Sequence, residues 1–153
     1  MLAIRQVSQL NKGKKTAGID GKKSLNFLER FLLFWEIRKD ALSWKHLGLR
    51  SIPIPKKDGA TSRMLKIPTI RDRAWQCLVK YALEPAHEAT FHARSYGFRT
   101  GRSAHDAQRY VYEQLKRTKF RSNTKKRVIE LDIEKCFDRI SHRTIMRELI
   151  APT

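Results

Sequence analysis

Acidic residues are scarce in this chain: fifteen Asp and Glu stand against thirty-three Lys and Arg over 153 residues, a formal charge of +18 with a pI near 10.4. Self-repulsion among so many like charges works against a compact state, so folding gives no reason for the imbalance. A polyanion neutralises it, and nucleic acid is the commonest one. A basic membrane-surface protein or a generally basic proteome are the other accounts. Cysteine is nearly absent. Cys77 and Cys136 lie far apart with no Cys-x-x-Cys and no His at ligand spacing, which argues against zinc and for core or near-core thiols in a reducing compartment. The five histidines form no metal pattern. Long apolar runs are missing too: Phe31 to Trp35 is flanked by Arg30 and Glu36, far short of the ~18 residues that a membrane span needs. No signal-peptide layout precedes it. The chain is expected to be soluble, intracellular and cytoplasmic, with no membrane partner.

What is present suits one mixed α/β domain with a real core, since 41% of residues are hydrophobic. The cations are grouped. Lys12, Lys14, Lys15, Lys22 and Lys23 are opposed only by Asp20; a second group runs from Lys45 through Arg50, Lys56, Lys57, Arg63, Lys66 and Arg71 to Arg73. The third, Lys116 to Arg127, holds seven cations and no acid. A single run is usually a solvated face; three between patterned elements suggest the walls of a groove.

Asn11 to Lys23 reads as a glycine-punctuated loop. A helix is expected from Ser24 to Leu42, mostly core, with Leu25, Leu28, Leu32 and Trp35 at helical spacing and Phe27, Phe31 and Phe34 widening the stripe. Arg50 to Pro55 and Arg63 to Pro68 flank Lys57-Asp58-Gly59 as a hairpin, which Pro53 and Pro55 confine to a sheet edge. Thr69-x-x-Asp72 starts a helix with Ala74, Trp75, Leu78, Val79, Ala82 and Leu83 on one face and Pro85 at its end. Ser103 and Asp106 start another, burying Ala104, Ala107, Val111 and Leu115 and closing in Lys116 and Arg117. Arg127 to Ile133 alternates as a strand, with Ile129, Leu131 and Ile133 on its apolar face. A last helix begins at Ser141, with Ile145, Met146, Leu149 and Ile150 on one side.

The stretch that carries chemistry is Val128-Ile-Glu-Leu-Asp-Ile-Glu-Lys-Cys-Phe-Asp138. A strand that turns tightly into a helix presents its last acid at the strand's carboxyl end, a frequent place for active sites. Asp132 there has the chemistry to hold Mg²⁺. A solvated strand-end acid is the plainer account, since one carboxylate does not make a metal site.

Asp132-Ile-Glu-Lys-Cys-Phe-Asp138 resembles the first catalytic block of group II intron reverse transcriptases. Asn11-Lys-Gly-Lys-Lys-Thr-Ala-Gly-Ile-Asp-Gly21 is similar to that family's N-terminal block. Ile52-Pro-Ile-Pro-Lys-Lys-Asp-Gly59 with Leu65-Lys-Ile-Pro-Thr-Ile-Arg-Asp-Arg73 is similar to its fingers block, and Ser95-Tyr-Gly-Phe-Arg-Thr-Gly-Arg-Ser-Ala-His-Asp106 to the next. The four blocks stand in the family's order over about residues 8 to 150, with the flavour of the cyanobacterial and chloroplast-like maturase branch. One departure is Arg63-Met-Leu-Lys66, where the family usually has Arg-Pro-Leu-Gly.

The resemblance implies the fingers (residues 1–95) and the start of the palm (96–153) of a right-hand polymerase, helix-rich with an edge hairpin and a palm strand. It implies Asp132 as the first metal-binding carboxylate and the Ile133 carbonyl as a further ligand, in a site where two Mg²⁺ ions roughly 4 Å apart serve nucleotidyl transfer. Phe137 would be the steric gate beneath the incoming sugar, leaving no room for a 2′-hydroxyl; core packing at a helix start is its alternative. Lys56 and Arg63 would contact the nucleotide triphosphate, or else be solvated. Lys12, Lys14, Lys15, Lys57, Arg99 and Arg102 would contact template or intron RNA, with a structural turn packing Tyr96 and Phe98 as the competing account of Tyr96-Gly-Phe-Arg99. The implied partners are RNA and a DNA primer, and an uncovered palm strand invites self-association. The family's paired-aspartate block is not among these residues, so the chain alone is expected not to polymerise. A non-catalytic RNA-binding module and an inactive remnant are the competing functions.

Overall fold

The computed structural model describes residues 1–56, 59, 61–116 and 127–150. They fall into two compact units, Met1–Ser95 and Tyr96–Thr153. The first opens with a short helix α1 (Leu2–Arg5) that runs into a wider helical turn over Gln6–Leu10, and a 3₁₀ turn at Lys12–Lys15 follows. Helix α2 is Phe27–Asp40, continued by a 3₁₀ turn at Ala41–Ser43. Strands β1 (Arg50–Pro55) and β2 (Ser62–Ile67) form an antiparallel hairpin, and α3 is Ile70–Thr90. The second unit holds α4 (Ala104–Leu115), a single turn α5 (Cys136–Arg139) and α6 (His142–Ile150).

Ile4, Val7, Leu25, Leu33, Ile37, Ile70 and Ala74 form the core of the first unit, with Phe34, Trp44 and Cys77 against it. Helix α2 starts at Phe27 rather than Ser24. Asn26 accepts the Glu29 N–H at 2.9 Å while the Glu29 carboxylate accepts the Asn26 N–H at 2.8 Å, a reciprocal cap, and Ser24 lies at φ +44° outside it. Apolar residues are spread round the helix among six charged ones, but α1 and α3 cover one side only. Leu33 and Ile37 are therefore buried; of the expected core stripe, Leu25 is buried while Leu28, Leu32 and Trp35 are exposed. Helix α3 passes through Pro85 instead of stopping there. Proline removes one intrahelical bond, and good helix formers on both sides, Ala82, Leu83, Ala86 and Ala89, carry the helix on to Thr90.

In the second unit Ser103 caps α4 as expected, but none of Ala104, Ala107, Val111 and Leu115 is buried, and Lys116 follows the helix, paired with Glu113. Arg127 to Ile133 is not a strand. It forms no ladder among the described residues, and Ile129, Leu131 and Ile133 are exposed. Alternation marks a surface suited to a sheet, yet a strand exists only once a neighbour takes its backbone groups. The last helix does begin after Ser141, whose Oγ accepts the Thr144 N–H at 3.3 Å.

The α4 cap has a pH consequence. Ser103 Oγ donates to the Asp106 carboxylate at 2.6 Å and the Ser103 N–H at 2.8 Å, and these bonds hold the carboxyl below its ordinary range. A lowered carboxylate stabilises the fold above its unfolded value, about pH 4, and loses that contribution as pH falls through the lowered value. An NMR titration of Asp106 should therefore show an acid-shifted midpoint that returns toward the ordinary carboxylate value in Ser103→Ala.

Candidate nucleic-acid interface

Candidate residues of the first unit lie on two elements, the loop after α1 and the hairpin. The loop is tied down by arginine. Arg73 donates from Nη1 to the Gly13 carbonyl at 2.7 Å, from Nη2 to Thr16 at 2.7 Å and from Nε to Thr69 at 3.3 Å. Burial lowers its pKa, with the Asp20 carboxylate pulling the other way. Arg50 Nη1 reaches the Ala17 carbonyl at 3.5 Å. Gly18 sits so close to the start of α3 that a Cβ on it would lie 2.6 Å from Thr69 Cα and 2.7 Å from Thr69 N. Within this loop Lys12 and Lys15 are exposed, whereas the Lys14 ammonium is half-buried and donates to the Gln9 carbonyl at 2.6 Å. The structure thus divides the three lysines between a surface pair and a brace.

The hairpin register pairs Arg50 with Ile67, Ile52 with Leu65, Ile54 with Arg63 and Pro55 with Ser62. The Lys56 N–H donates to Thr61 O at 2.9 Å, closing the ladder. Side chains alternate faces along a strand and directly opposed residues share a face. Lys56 and Arg63 therefore fall on the same face as Ile52, Ile54 and Leu65, as diagonal neighbours near the tip, and both are exposed. Lys66, the departure from the family pattern, falls on the opposite face with Met64 and Ser51. It adds no bulk beside Lys56 and Arg63. Lys57 lies outside the described residues, as do Asp58 and most of the basic run from Lys116 to Arg127.

Asp72 is the feature that spacing alone does not disclose. It is 2% exposed, and its carboxylate accepts from Trp44 Nε1 at 3.0 Å, from the Leu47 N–H at 3.2 Å and from Thr69 Oγ1 at 2.7 Å. Thr69 Oγ1 in turn accepts the Asp72 N–H at 3.1 Å. Beside it Arg71 lies 3.9 Å above the Trp44 ring, bonds Glu36 at 2.6 Å and the Lys45 carbonyl at 2.9 Å, while Trp44 stacks parallel to Trp75 at 6.1 Å. The sequence signal, Thr-x-x-Asp, reads as a helix cap; that the acid also holds the chain before β1 depends on Trp44 and Leu47, which are remote in sequence.

In the second unit the Tyr96–Arg102 loop turns through left-handed Phe98 (φ +58°) and Gly101 (φ +72°). Tyr96 lies 6.4 Å from Tyr110, Phe98 is fully exposed, and Arg99 is buried at 9% while Arg102 is exposed. The packing turn expected for Tyr96 and Phe98 is thus half realised. Further on, Asp132 is exposed and its Oδ1 accepts the Ile133 N–H at 3.0 Å. Lys135 makes the turn into α5 at φ +51°, Glu134 pairs with Arg139 at 3.2 Å, and the Phe137 ring is 88% exposed. Mg²⁺ prefers about six oxygen ligands. Among the described residues no three His, Cys, Asp or Glu side chains gather as a metal cluster. Asp132 and the Ile133 carbonyl fit one edge of such an ion and do not by themselves complete a two-ion site. No described helix is long and apolar enough to cross a membrane.

A basic loop and a cationic hairpin lie in one unit, and an acid-turn-helix segment lies in the other. Residues 54–153 match the family described as "Reverse transcriptase (RNA-dependent DNA polymerase)", and residues 1–37 match "N-terminal domain of reverse transcriptase". The chain belongs to the reverse transcriptase family, and the proteins it resembles include maturase-like and group II intron-encoded proteins. It is 40% identical over 153 residues to maturase-like protein 1 of Euglena gracilis, covering 99% of this chain and 32% of that protein. It is 37% identical to protein YkfC of Escherichia coli over 145 residues (93% and 37%), and 34% identical to the group II intron-encoded protein LtrA of Lactococcus lactis over 137 residues (89% and 22%). The chain thus spans no more than 37% of the length of these relatives.

Proposed function

We propose that this chain forms the fingers and the start of the palm of a group II intron RNA-directed DNA polymerase, with Met1–Ser95 as the fingers. The observation that carries the reading is the hairpin. Lys56 and Arg63 share one exposed face at its tip, next to no acid of the ladder, in a chain of charge +18. Charge-assisted bonds from these two side chains suit nucleotide or backbone phosphate. Lys12 and Lys15 on the basic loop and Lys57 offer further RNA contacts, and on the second unit Arg102 offers its own. Lys14 and Arg99 support their loops from within rather than touching RNA first.

In the same reading Asp132 offers one carboxylate to Mg²⁺, with the Ile133 carbonyl beside it, and Phe137 presents its ring as the gate against a ribose 2′-hydroxyl. When bound, the metal supplies charge neutralisation for phosphoryl transfer. A DNA primer is the second nucleic-acid partner, and the exposed apolar residues from Val128 to Ile133 form a surface for another strand, including that of a second copy. An RNA-binding module without chemistry rests on the same cations and needs no carboxylate.

Primer extension and RNA binding together test the reading. The 153-residue chain with Mg²⁺, a DNA primer and an RNA template should give no extension, because one carboxylate does not hold two ions in register. RNA binding should survive Asp132→Ala unchanged. Extension that Asp132→Ala abolishes would refute the expected inactivity of these residues alone; loss of RNA binding in Asp132→Ala would refute the separation of RNA binding from the Asp132 carboxylate.

A further inference from the structure

The hairpin has little to hold it in place. Two-stranded sheets are marginal in water on their own, and here Ile54, Met64 and Leu65 remain substantially exposed, with Ile67 at the root its buried residue. Its direction is therefore set by its roots. One root is the chain entering β1 from Trp44 to Leu49; the other is Pro68-Thr69 leaving β2. Both end on the same buried carboxylate. Asp72 accepts from Trp44 Nε1 and the Leu47 N–H on the entering side and from Thr69 Oγ1 on the leaving side. The arginines on either side of it extend the junction: Arg71 holds the Lys45 carbonyl, and Arg73 holds the basic loop at Gly13 and Thr16.

We propose that Asp72 is a positioning residue: it gathers both roots of the β1–β2 hairpin onto the first turn of α3 and so sets how Lys56 and Arg63 are offered to phosphate. The second half of this statement rests on the nucleic-acid reading above; the first does not. A carboxylate suits the task because it is acceptor-only: its three hydrogen-bonding partners are all donors, and the Arg71 guanidinium, 3.6 Å away, adds a cation. An asparagine of the same size turns an N–H₂ toward one of them, leaving two donors opposed in a buried place.

The test uses the full 153-residue chain and two independent readouts. The first is amide hydrogen exchange. Lys56 N bonding Thr61 O fixes which pairs bond across the ladder, so Ile52, Ile54, Arg63 and Leu65 carry the informative amides. Asp72→Asn should speed their exchange by about tenfold, as loss of a buried hydrogen bond does, while the amides of α2 keep their rate. Thr69→Val, which exchanges the hydroxyl for a methyl, should act in the same direction, and Thr69→Ser, which keeps the hydroxyl, should retain the original rates. Unchanged hairpin amides overturn the proposal. So does equal acceleration throughout Met1–Ser95 in both Asp72→Asn and Thr69→Val, which would make the carboxylate a general support of the core. If Asp72→Asn does not fold, Thr69→Val and Thr69→Ser carry both readouts.

The second readout is affinity for poly-U RNA in a double-mutant cycle. Replacing Lys56 and Arg63 together by Ala should make the salt dependence of binding shallower by about 1.4 in log–log slope, two contacts at ~0.7 each on a single strand. Asp72→Asn should weaken binding in the natural background and change it less than about twofold once both cations are gone. Additive losses overturn the coupling of Asp72 to the hairpin cations. If removal of Lys56 and Arg63 leaves RNA binding untouched, the nucleic-acid reading of the hairpin fails, and the exchange rates still decide whether Asp72 clamps it.

Discussion

Raising salt from about 50 to 200 mM should weaken binding of poly-U RNA to this chain by roughly two and a half to three and a half orders of magnitude, the result for six to eight phosphate contacts on a single strand. The number of contacts comes from sorting cations of the first two basic groups and of the Tyr96–Arg102 loop by what they already hold. Arg71 and Arg73 are committed to Glu36 and to carbonyls of Lys45, Gly13, Thr16 and Thr69. Lys14 is committed to Gln9, and Arg99 is buried. Lys12, Lys15, Lys22, Lys23, Lys45, Lys56, Arg63 and Arg102 are exposed. Net charge alone would suggest a far steeper dependence. Filter binding or fluorescence anisotropy across a salt series measures the slope directly; an affinity independent of salt would contradict phosphate-driven binding. Little preference among RNA sequences is expected, because backbone contacts carry no base information.

Gly18→Ala should be among the most damaging single-methyl changes available to the first unit. The added Cβ would stand 2.6 Å from Thr69 Cα, 2.7 Å from Thr69 N and 3.0 Å from the Pro68 carbonyl carbon. All three are backbone atoms, so no side chain can swing aside. Thr69 is itself bonded to Asp72 and caps α3, so moving it disturbs the cap as well as the packing. A cost of ~3 kcal/mol, the upper range for overpacking, corresponds to a melting temperature lower by roughly 12–24 °C for a unit of this size. Gly97→Ala is the control, since a Cβ there meets nothing within 4 Å, and it should melt within a few degrees of the natural chain. Calorimetry or thermal circular dichroism on both variants decides the matter.

Elements specified by neighbouring residues were legible in the sequence. The hairpin follows from Pro-x-Pro, a Gly-containing turn and a return strand; the starts of α3, α4 and α6 follow from Thr69, Ser103 and Ser141, each of which accepts the predicted N–H. Features that depend on distant partners were not. Which side of α2 is buried is decided by α1 and α3, so periodicity marked Leu25, Leu28, Leu32 and Trp35 while packing kept Leu25 and chose Leu33 and Ile37. Alternation from Val128 to Ile133 named a strand that has no described neighbour to pair with. Among candidate site residues, the pattern found Lys56 and Arg63, and the register explains why they belong together. It did not separate Lys14 from Lys12 and Lys15, because a lysine bonded to the Gln9 carbonyl looks the same in a sequence as one in water. Asp72 was legible only as a cap.

The two prolines of β1 have a consequence for solubility. Since Lys56, Ile54 and Ile52 bond across to β2, the residues between them aim their backbone groups away from it, toward the open edge. Ser51, Pro53 and Pro55 occupy those outward positions, and two of the three have no N–H to offer. A strand from another molecule arriving at that edge would find one donor where an ordinary strand presents three, so stacking of hairpins into larger aggregates is discouraged on that side. Apolar side chains such as Ile54 and Leu65 can thus stay exposed beside the cations without the backbone beneath them becoming a template for fibrous assembly.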